Sequence, residues 1–267
     1  MGNLEHELLI VKWANALLDP VLRPLFAAAG VHVEPGHELI PNYLVMSLLI
    51  VLGLTVLSWF VRSRLSVENP SRLQIVLEDI VSTLVGMLEQ WIGPKGRAFL
   101  PVIGALGLFI LIGNYAGMIP GLMSPTSNIN VTAGCAITIW FYYHIHGIRA
   151  QGLWSYLKHF AMPPGSPAWL APLMLIVEVV SHVSRVLSLT LRLFGNIFGE
   201  EMVILILGML IPYVLPLPMM LLALITGGLQ AYIFVLLGII YLQGAVAVEH
   251  DHEDELPGHE HGHALAA

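Results

Sequence analysis

Charged residues are scarce in this sequence. Asp, Glu, Lys and Arg together make up 11% of its 267 residues, whereas 57% are hydrophobic. Soluble domains carry roughly 25% charged residues, and a chain with so few cannot cover a globular surface with polar groups. The composition therefore predicts an all-α polytopic membrane protein rather than a soluble domain.

Cysteine is also nearly absent, and the C-terminal tail lacks basic residues. The one cysteine, Cys135, excludes an internal disulfide and a zinc site built on cysteine pairs. Residues 249–267 contain acids and histidines but no Lys or Arg. No basic patch can displace phosphate counterions there, so we expect no nucleic acid partner. Without a folded frame the tail histidines predict a solvated acidic segment rather than a metal site, and we predict no cofactor.

Four stretches before residue 150 have the composition of membrane-associated helices. A span needs about 20 apolar residues. The apolar runs at 43–61, 99–122 and 131–146 predict three spans. The stretch 73–92 places three acids among apolar residues, which predicts an amphipathic helix at the membrane surface.

Two long helices follow and are predicted to form a hairpin. Ser166 can cap the first helix, and Pro167 can take its first helical position. Nothing firmly stops a helix over 167–211, and about 45 helical residues are roughly 67 Å long, whereas a hydrocarbon core is about 30 Å thick. We therefore expect 167–211 and 219–248 to be steeply tilted. The membrane domain at 43–248 would then hold about five embedded helices and one surface helix.

The distribution of basic residues predicts the orientation. Residues 62–97 hold five of the eleven Lys and Arg residues, whereas 114–130 contain no charge. Because cytoplasmic loops are enriched in Lys and Arg, we expect the N-terminal segment 1–42 outside the cytoplasm and the tail 249–267 inside it.

Five charged residues interrupt the first long helix of the hairpin. They are Glu178, Arg185, Arg192, Glu200 and Glu201. Each would cost a few kcal/mol or more at the bilayer centre if it faced lipid. We therefore expect these side chains to face protein or water.

Small and polar residues form a stripe along this helix. At about 100° per residue, seven of them lie within about 60° of Arg192: Glu178, Ser181, Arg185, Ser188, Gly195, Asn196 and Gly199. Glu201 points about 180° away from Arg192, so we expect no salt bridge between the two. His182 lies about 80° from Arg192 and can be a proton relay or a packing residue.

The arginine and the glutamate suit different roles. A guanidinium effectively cannot lose its proton, so Arg192 is a fixed cation that favours the ionised form of a facing carboxylate. Carboxylic acids in buried sites can exchange protons near neutral pH, which makes Glu201 a candidate relay. The alternative is a structural Arg–Glu pair that locks the bundle. Gln230 and Asn114 are equally compatible with helix packing and with lining a water path.

Several segments together resemble one known family. They are RLQIVLEDIV, IGPKGRAFLP, GNYAGMIPG, PTSNINVT, IVEVVSHVSRVLSLTLRLFGN and LQAYIFVLLGIIYL, with SLTLRLFGNIFGEEMV as the most characteristic stretch. Their order and spacing over about residues 70–245 are similar to those of subunit a of F-type ATP synthases, the stator half of the proton channel.

The resemblance implies a mechanism and a set of partners. In this family, protons enter one half-channel, ride on the buried carboxylates of a rotating c-subunit ring, and leave through a second half-channel. The implied partners are the c-ring, the peripheral-stalk b subunits, the remaining ATP synthase subunits and membrane lipid. The chain would have no active site of its own. Its LRLFGN motif and long N-terminal extension resemble bacterial rather than mitochondrial members, so we expect a bacterial plasma membrane.

The resemblance also implies roles for individual residues. Arg192 matches the arginine that faces the ring and separates the half-channels. Glu201 matches the acid of the access channel, and Gln230 matches the last-helix glutamine near the arginine. The remaining matches are polar positions along the water paths: Asn196, Ser188, Glu178 and Asn114.

The sequence departs from the family pattern on the last helix. Some members carry a histidine or an acid where this chain has Ala223. The access path must therefore depend on Glu200, Glu201, His182 and water, although the family position of Glu200 is often small or neutral. Three other functions remain open: a sodium-translocating synthase subunit, a stand-alone secondary transporter and a structural membrane scaffold.

Overall fold

A computed structural model describes most of the chain. The described residues are 40–66, 70–119, 122–161, 168–212 and 214–246, together with residues 15, 16 and 20. The predicted N-terminal segment 1–42 lies almost wholly outside them, as do the predicted tail 249–267 and the predicted helix start at Ser166 and Pro167.

Seven α-helices lie in the described ranges from residue 40 onward, and no strand occurs there. They are α1 (Asn42–Ser63), α2 (Arg72–Ile92), α3 (Leu100–Ala116), α4 (Ile129–Gln151), α5 (Leu153–Ala161), α6 (Ala171–Leu210) and α7 (Pro216–Val246). Short 3-10 turns at Pro94–Phe99, Pro125–Ser127 and Ala168–Leu170 precede α3, α4 and α6. The predicted all-α class is confirmed.

Within the described ranges, four helices are long and apolar enough to cross a membrane. They are α1, α3 with its preceding turn, α6 and α7. The remaining predicted span, 131–146, corresponds to α4, whose 23 residues are about 34 Å long and so also match the thickness of a bilayer core. Polar residues such as Asn130, Thr138 and Tyr143 make α4 less apolar than the others. It packs against α6 and α7, and Tyr143 is buried in that packing, whereas Asn130 and Thr138 are exposed.

Helix ends differ from the predicted ones where turns intervene. The span predicted over 99–122 ends at Ala116, and the turn after it begins at Gly117. The span predicted over 131–146 is extended at both ends to Ile129–Gln151 and stops at Gly152, whose φ of 79° is unfavourable for other residues.

The hairpin helices are the longest elements of the fold. The 40 residues of α6 are about 60 Å long, and the 31 residues of α7 are about 46 Å long. Both exceed the roughly 30 Å of a hydrocarbon core, so they can span it only when inclined. The tilt angle stays a prediction.

The apolar core is centred on α7. Phe234, Ile239 and Leu242 of α7 are almost fully buried and pack with side chains of α3, α4 and α6. Gly238 permits this close packing, because a Cβ placed there would lie 3.4 Å from Ile139 Cδ1 on α4. This packing holds α6 against α7 and α4, and so positions the polar groups of α6.

The stretch predicted as a surface helix, 73–92, is helical as α2, and its place at a membrane surface stays a prediction. Ser71 caps it by accepting a hydrogen bond from the backbone N–H of Gln74 at 3.2 Å. Most of its side chains are exposed, including Leu73 and Trp91, whereas Leu88 is fully buried against the bundle. One narrow stripe therefore anchors α2, and the rest of its surface is free of the described bundle.

Candidate functional site

Two hydrogen bonds between side chains join α6 to α7. Asn196 Nδ2 donates to Gln230 Oε1 at 2.9 Å. The Thr226 hydroxyl donates to the Glu200 carboxylate. The two α6 residues are one turn apart, and so are the two α7 residues, so the two hydrogen bonds are neighbours along the pair of helices. We call these four residues the α6–α7 ladder.

Arg192 lies on an open face of α6, one turn before Asn196. Its side chain is exposed, and no carboxylate or other acceptor in the described ranges pairs with its guanidinium. Ser188 is exposed on the same face. A Cβ placed at Gly195 or at Gly199 would meet nothing within 4 Å. The arginine is thus surrounded by little bulk and is accessible to another molecule.

Glu201 lies on a different side of α6, against the loop before α4. The Ser127 side chain and the Ser124 backbone are within hydrogen-bonding reach of its carboxylate. Gly117, just after α3, leaves room for it, because a Cβ placed there would lie 2.8 Å from Glu201 Oε1. No salt bridge joins Glu201 to Arg192, in agreement with the helical spacing.

A small cavity connects the two glutamates. Its volume is about 50 Å³, and it is lined by Asn114, Gly117, Met118, Ile197, Glu200, Glu201, Ile204, Met220 and Ala223. A cavity of this size with several polar groups can hold one or a few waters. Water in the cavity would touch both carboxylates and one amide.

Asn114 both packs helices and borders this cavity. Its Nδ2 donates to the Gly227 carbonyl of α7 at 2.9 Å, and its Oδ1 accepts from the Thr126 hydroxyl at 2.7 Å. Thr126 in turn shares a hydrogen bond with Ser124 at 2.8 Å. These contacts fix the cavity wall between α3, α7 and the loop. We call Glu200, Glu201, Asn114, Ser127 and Thr226 the carboxylate cluster.

A second polar cluster lies nearer the start of α6. His182 Nδ1 is 2.6 Å from the Tyr143 hydroxyl of α4, and His182 Nε2 is 3.1 Å from Glu178 Oε1. The His144 ring packs against His182, with centroids 4.8 Å apart. We call Glu178, His182, Tyr143 and His144 the histidine cluster. With Nε2 protonated, His182 donates to Glu178 and accepts from the tyrosine, giving a continuous chain of hydrogen bonds.

Arg192 lies between the two clusters along α6. Glu178 precedes it by 14 residues, or about 21 Å of helix, and Glu201 follows it by nine, or about 14 Å. Leu189, Leu193 and Ile197 fill the buried side of α6 between the clusters. The two polar regions are therefore separated by packed apolar side chains.

Three polar partners in these clusters were not singled out from the sequence. Thr226 and Tyr143 sit within apolar runs, and nothing in the periodicity indicates which neighbouring helix they face. Ser127 belongs to PTSNINVT, which the sequence marks only as a polar connection. Knowledge of the contacts between helices is needed to find all three.

Comparison with known proteins identifies the family. A family model described as ATP synthase A chain matches residues 43–243. ATP synthase subunit a of Geobacter sp. (strain M21) is 46% identical over 247 residues, covering 92% of this chain and 99% of that relative. ATP synthase subunit a of Citrifermentans bemidjiense is 46% identical and that of Geobacter sulfurreducens 38%, both with the same coverage. The chain therefore belongs to the ATP synthase A chain family.

Proposed function

We propose that this chain is the proton-translocating stator subunit of a bacterial F-type ATP synthase. As a family member it is a multi-pass membrane subunit of an ATP synthase complex. In the proposal, it offers two separate half-channels to the carboxylates of a rotating c-ring, and Arg192 is the barrier between them. Its further partners are the peripheral-stalk b subunits, the remaining synthase subunits and lipid, and ATP chemistry takes place elsewhere in the complex.

One observation carries this proposal. An exposed arginine that has no partner among the described residues, and little bulk around it, separates two polar clusters along one apolar helix. A cation left facing lipid would cost a few kcal/mol or more, so the open face requires an anionic partner. A membrane-buried carboxylate on a ring of helices meets that requirement, and close approach is possible because Gly195 and Gly199 add no side chain.

The two clusters suit the two half-channels. With the N-terminus outside and the C-terminus in the cytoplasm, the carboxylate cluster lies towards the outer surface and the histidine cluster towards the cytoplasm. The cavity beside Glu201 would admit protons from outside through Asn114-bound and Glu200-bound water. The hydrogen-bonded chain of Tyr143, His182 and Glu178 would release them inside.

Arginine is suited to the barrier because its charge is permanent. A ring carboxylate that has lost its proton is attracted to the guanidinium and is held ionised beside it. A protonated ring carboxylate gains little from the cation and can move away. Since Arg192 cannot release a proton, protons cannot pass directly from one half-channel to the other.

The decisive experiment removes this cation from the assembled complex. In inverted membrane vesicles, Arg192→Ala should abolish ATP-driven acidification, measured by quenching of a pH-sensitive dye, while the complex still assembles. Arg149→Ala is the matched control, because it removes an exposed cation at the end of α4 and should leave pumping near the wild-type rate.

The same vesicles discriminate between the competing functions. Acidification that needs no sodium and collapses with an uncoupler supports protons as the transported ion, whereas sodium dependence would favour a sodium synthase. Coupled pumping by Arg192→Ala would overturn the barrier role. Transport by the purified chain without other subunits would favour a stand-alone transporter.

A further inference from the structure

The last helix contributes no proton-binding side chain to the cavity. Met220 and Ala223 are its lining residues there. Between 219 and 246, the ionisable groups of α7 are the phenols of Tyr232 and Tyr241, and neither lines the cavity. Any proton that reaches the α7 side of the cavity must therefore be held by a group from another helix.

Glu200 supplies a carboxylate on that side. It hydrogen-bonds to Thr226 of α7, one turn from Ala223 along the same helix. Its direction on α6 is about 80° from Arg192, whereas Glu201 points about 180° away. Glu200 is also one turn beyond Asn196, which is itself one turn beyond Arg192. Of the two glutamates, Glu200 is therefore the one directed towards the open face.

Glu201 is held on the opposite side of the cavity. Ser127 and Ser124 approach its carboxylate from the loop before α4, and Gly117 lies beside it at the end of α3. Both glutamates border the same cavity of about 50 Å³. The geometry thus gives an order: Glu201 on the loop side, water in the cavity, and Glu200 on the α7 side.

In the other hydrogen bond of the α6–α7 ladder, between Asn196 and Gln230, the glutamine has an unused donor. Gln230 is buried, and its Nε2 has no hydrogen-bond partner within the described ranges, while its Oε1 accepts from Asn196. Buried amide nitrogens are normally paired. A water or a carboxylate that comes to the ladder between Glu200 and Arg192 can fill this position.

From these contacts we infer that Glu200, and not Glu201, is the last side chain to bind the proton before it passes to the ring. The inference rests on the proposed function. Glu201 receives a proton and passes it through cavity water to the Glu200 carboxylate. Protonated Glu200 then transfers that proton to an ionised ring carboxylate near Arg192 and returns to the carboxylate form. Glu200 on α6 thereby replaces an ionisable group that Ala223 does not provide on α7.

The first test compares two single substitutions in the assembled complex. Glu200→Gln keeps the size of the side chain and an oxygen that accepts from Thr226, but it cannot carry the proton. ATP-driven acidification of inverted vesicles should fall at least about tenfold. Glu201→Gln should be milder, with a loss of about two- to fivefold, because cavity water still reaches Glu200. Equal losses, or a greater loss for Glu201→Gln, would overturn the inference.

A second pair of variants separates proton binding from a structural role. Glu200→Ala/Ala223→Glu moves the carboxylate across the cavity from α6 to α7 at constant total volume. It should pump several times faster than Glu200→Ala/Ala223→Gln, which places an equally large side chain without an acid. Equal pumping by these two variants, with equal amounts of chain in the membrane, would contradict the inference.

Arg192→Ala shows which proposal has failed. If it abolishes pumping while Glu200→Gln pumps at the wild-type rate, the barrier role stands and the inference about Glu200 is wrong. If both variants pump normally, the proposed function itself fails. If both abolish pumping and the swapped carboxylate restores it, both proposals are supported.

Discussion

The carboxylate cluster and the histidine cluster are both built on α6, but their polar groups are connected in different ways. In the carboxylate cluster, Glu200 and Glu201 face a cavity and have hydroxyl partners on α7 and on the loop before α4. In the histidine cluster, His182 contacts Tyr143 and Glu178 directly, at 2.6 and 3.1 Å. Water can connect the groups of the first cluster, whereas side chains alone connect those of the second.

This difference determines what each cluster should be sensitive to. A path through water depends on volume, because a cavity that is filled can no longer hold the water. A path through fixed side chains depends on individual hydrogen bonds, each of which contributes about 0.5–1.5 kcal/mol. Rings packed around His182, including His144 and Tyr143, keep that second path in one geometry. We therefore expect a larger side chain to slow proton passage through the carboxylate cluster, and the loss of a hydroxyl to slow it through the histidine cluster.

The largest effect after loss of Arg192 or Glu200 is expected from filling the cavity. In Gly117→Val, the new Cβ would lie 2.8 Å from Glu201 Oε1 and 3.1 Å from Ser124 Cβ, and the branched side chain would occupy space now open to water. ATP-driven acidification of vesicles should fall about tenfold. The φ of Gly117 is −66°, so the substitution causes no backbone strain.

Gly134→Ala is the control for this prediction. A Cβ placed at Gly134 on α4 would meet nothing within 4 Å, and pumping should stay at the wild-type rate. Wild-type pumping by Gly117→Val as well would mean that protons do not use the cavity, and the contrast between the two clusters would then be lost.

A smaller effect is expected from Tyr143→Phe in the histidine cluster. The substitution removes the hydroxyl 2.6 Å from His182 Nδ1 and keeps the ring that packs beside it. Loss of the hydrogen bond to His182, worth about 1 kcal/mol, should slow pumping roughly three- to tenfold if that bond orients His182 for proton transfer. The pumping rate should respond more to Tyr143→Phe than to a change of volume at this cluster.

Tyr232→Phe controls for removal of a phenol from the bundle, because Tyr232 is 51% exposed on α7. It should pump like the wild type. If Tyr143→Phe does so too, the histidine cluster is a packing feature, and the cytoplasmic half-channel must run elsewhere along α6.

The sequence predicts the elements of the site better than their partners. Helical spacing places Glu201 on the opposite side of α6 from Arg192, and the structure has no salt bridge between them. The same arithmetic cannot identify Thr226 as the partner of Glu200, because that contact depends on how α6 and α7 cross. Contacts between helices arise from side-chain packing, which a periodicity along one helix does not describe.

The surroundings of Asn114 and of helix α4 also depend on contacts between helices, and so could be found only from the structure. From the sequence alone, Asn114 is equally compatible with packing and with a water path; the structure shows that it bonds to Gly227 and lines the cavity, and the water path stays a prediction. Helix α4 is less apolar than the four candidate spans, and one of its polar residues, Tyr143, is buried against His182 of α6. Hydropathy measures how well a helix suits lipid and cannot detect a polar face that is covered by protein.

The smallest effect is expected from Gln151→Ala at the end of α4, which tests whether a hydrogen bond outside the histidine cluster matters for pumping. Gln151 Nε2 donates to the Ala245 carbonyl of α7 at 2.9 Å, near the histidine cluster but outside its chain of hydrogen bonds. Its Oε1 is buried without a hydrogen-bond partner in the described ranges, so truncation also removes an unsatisfied acceptor, and the net loss of stability should be below about 1 kcal/mol. Pumping should stay within about twofold of wild type, with a slight loss of activity after mild heating of the vesicles. A loss of pumping as large as that of Tyr143→Phe would mean that any hydrogen bond at this end of the bundle matters for transport, and that the Tyr143–His182 contact is not special.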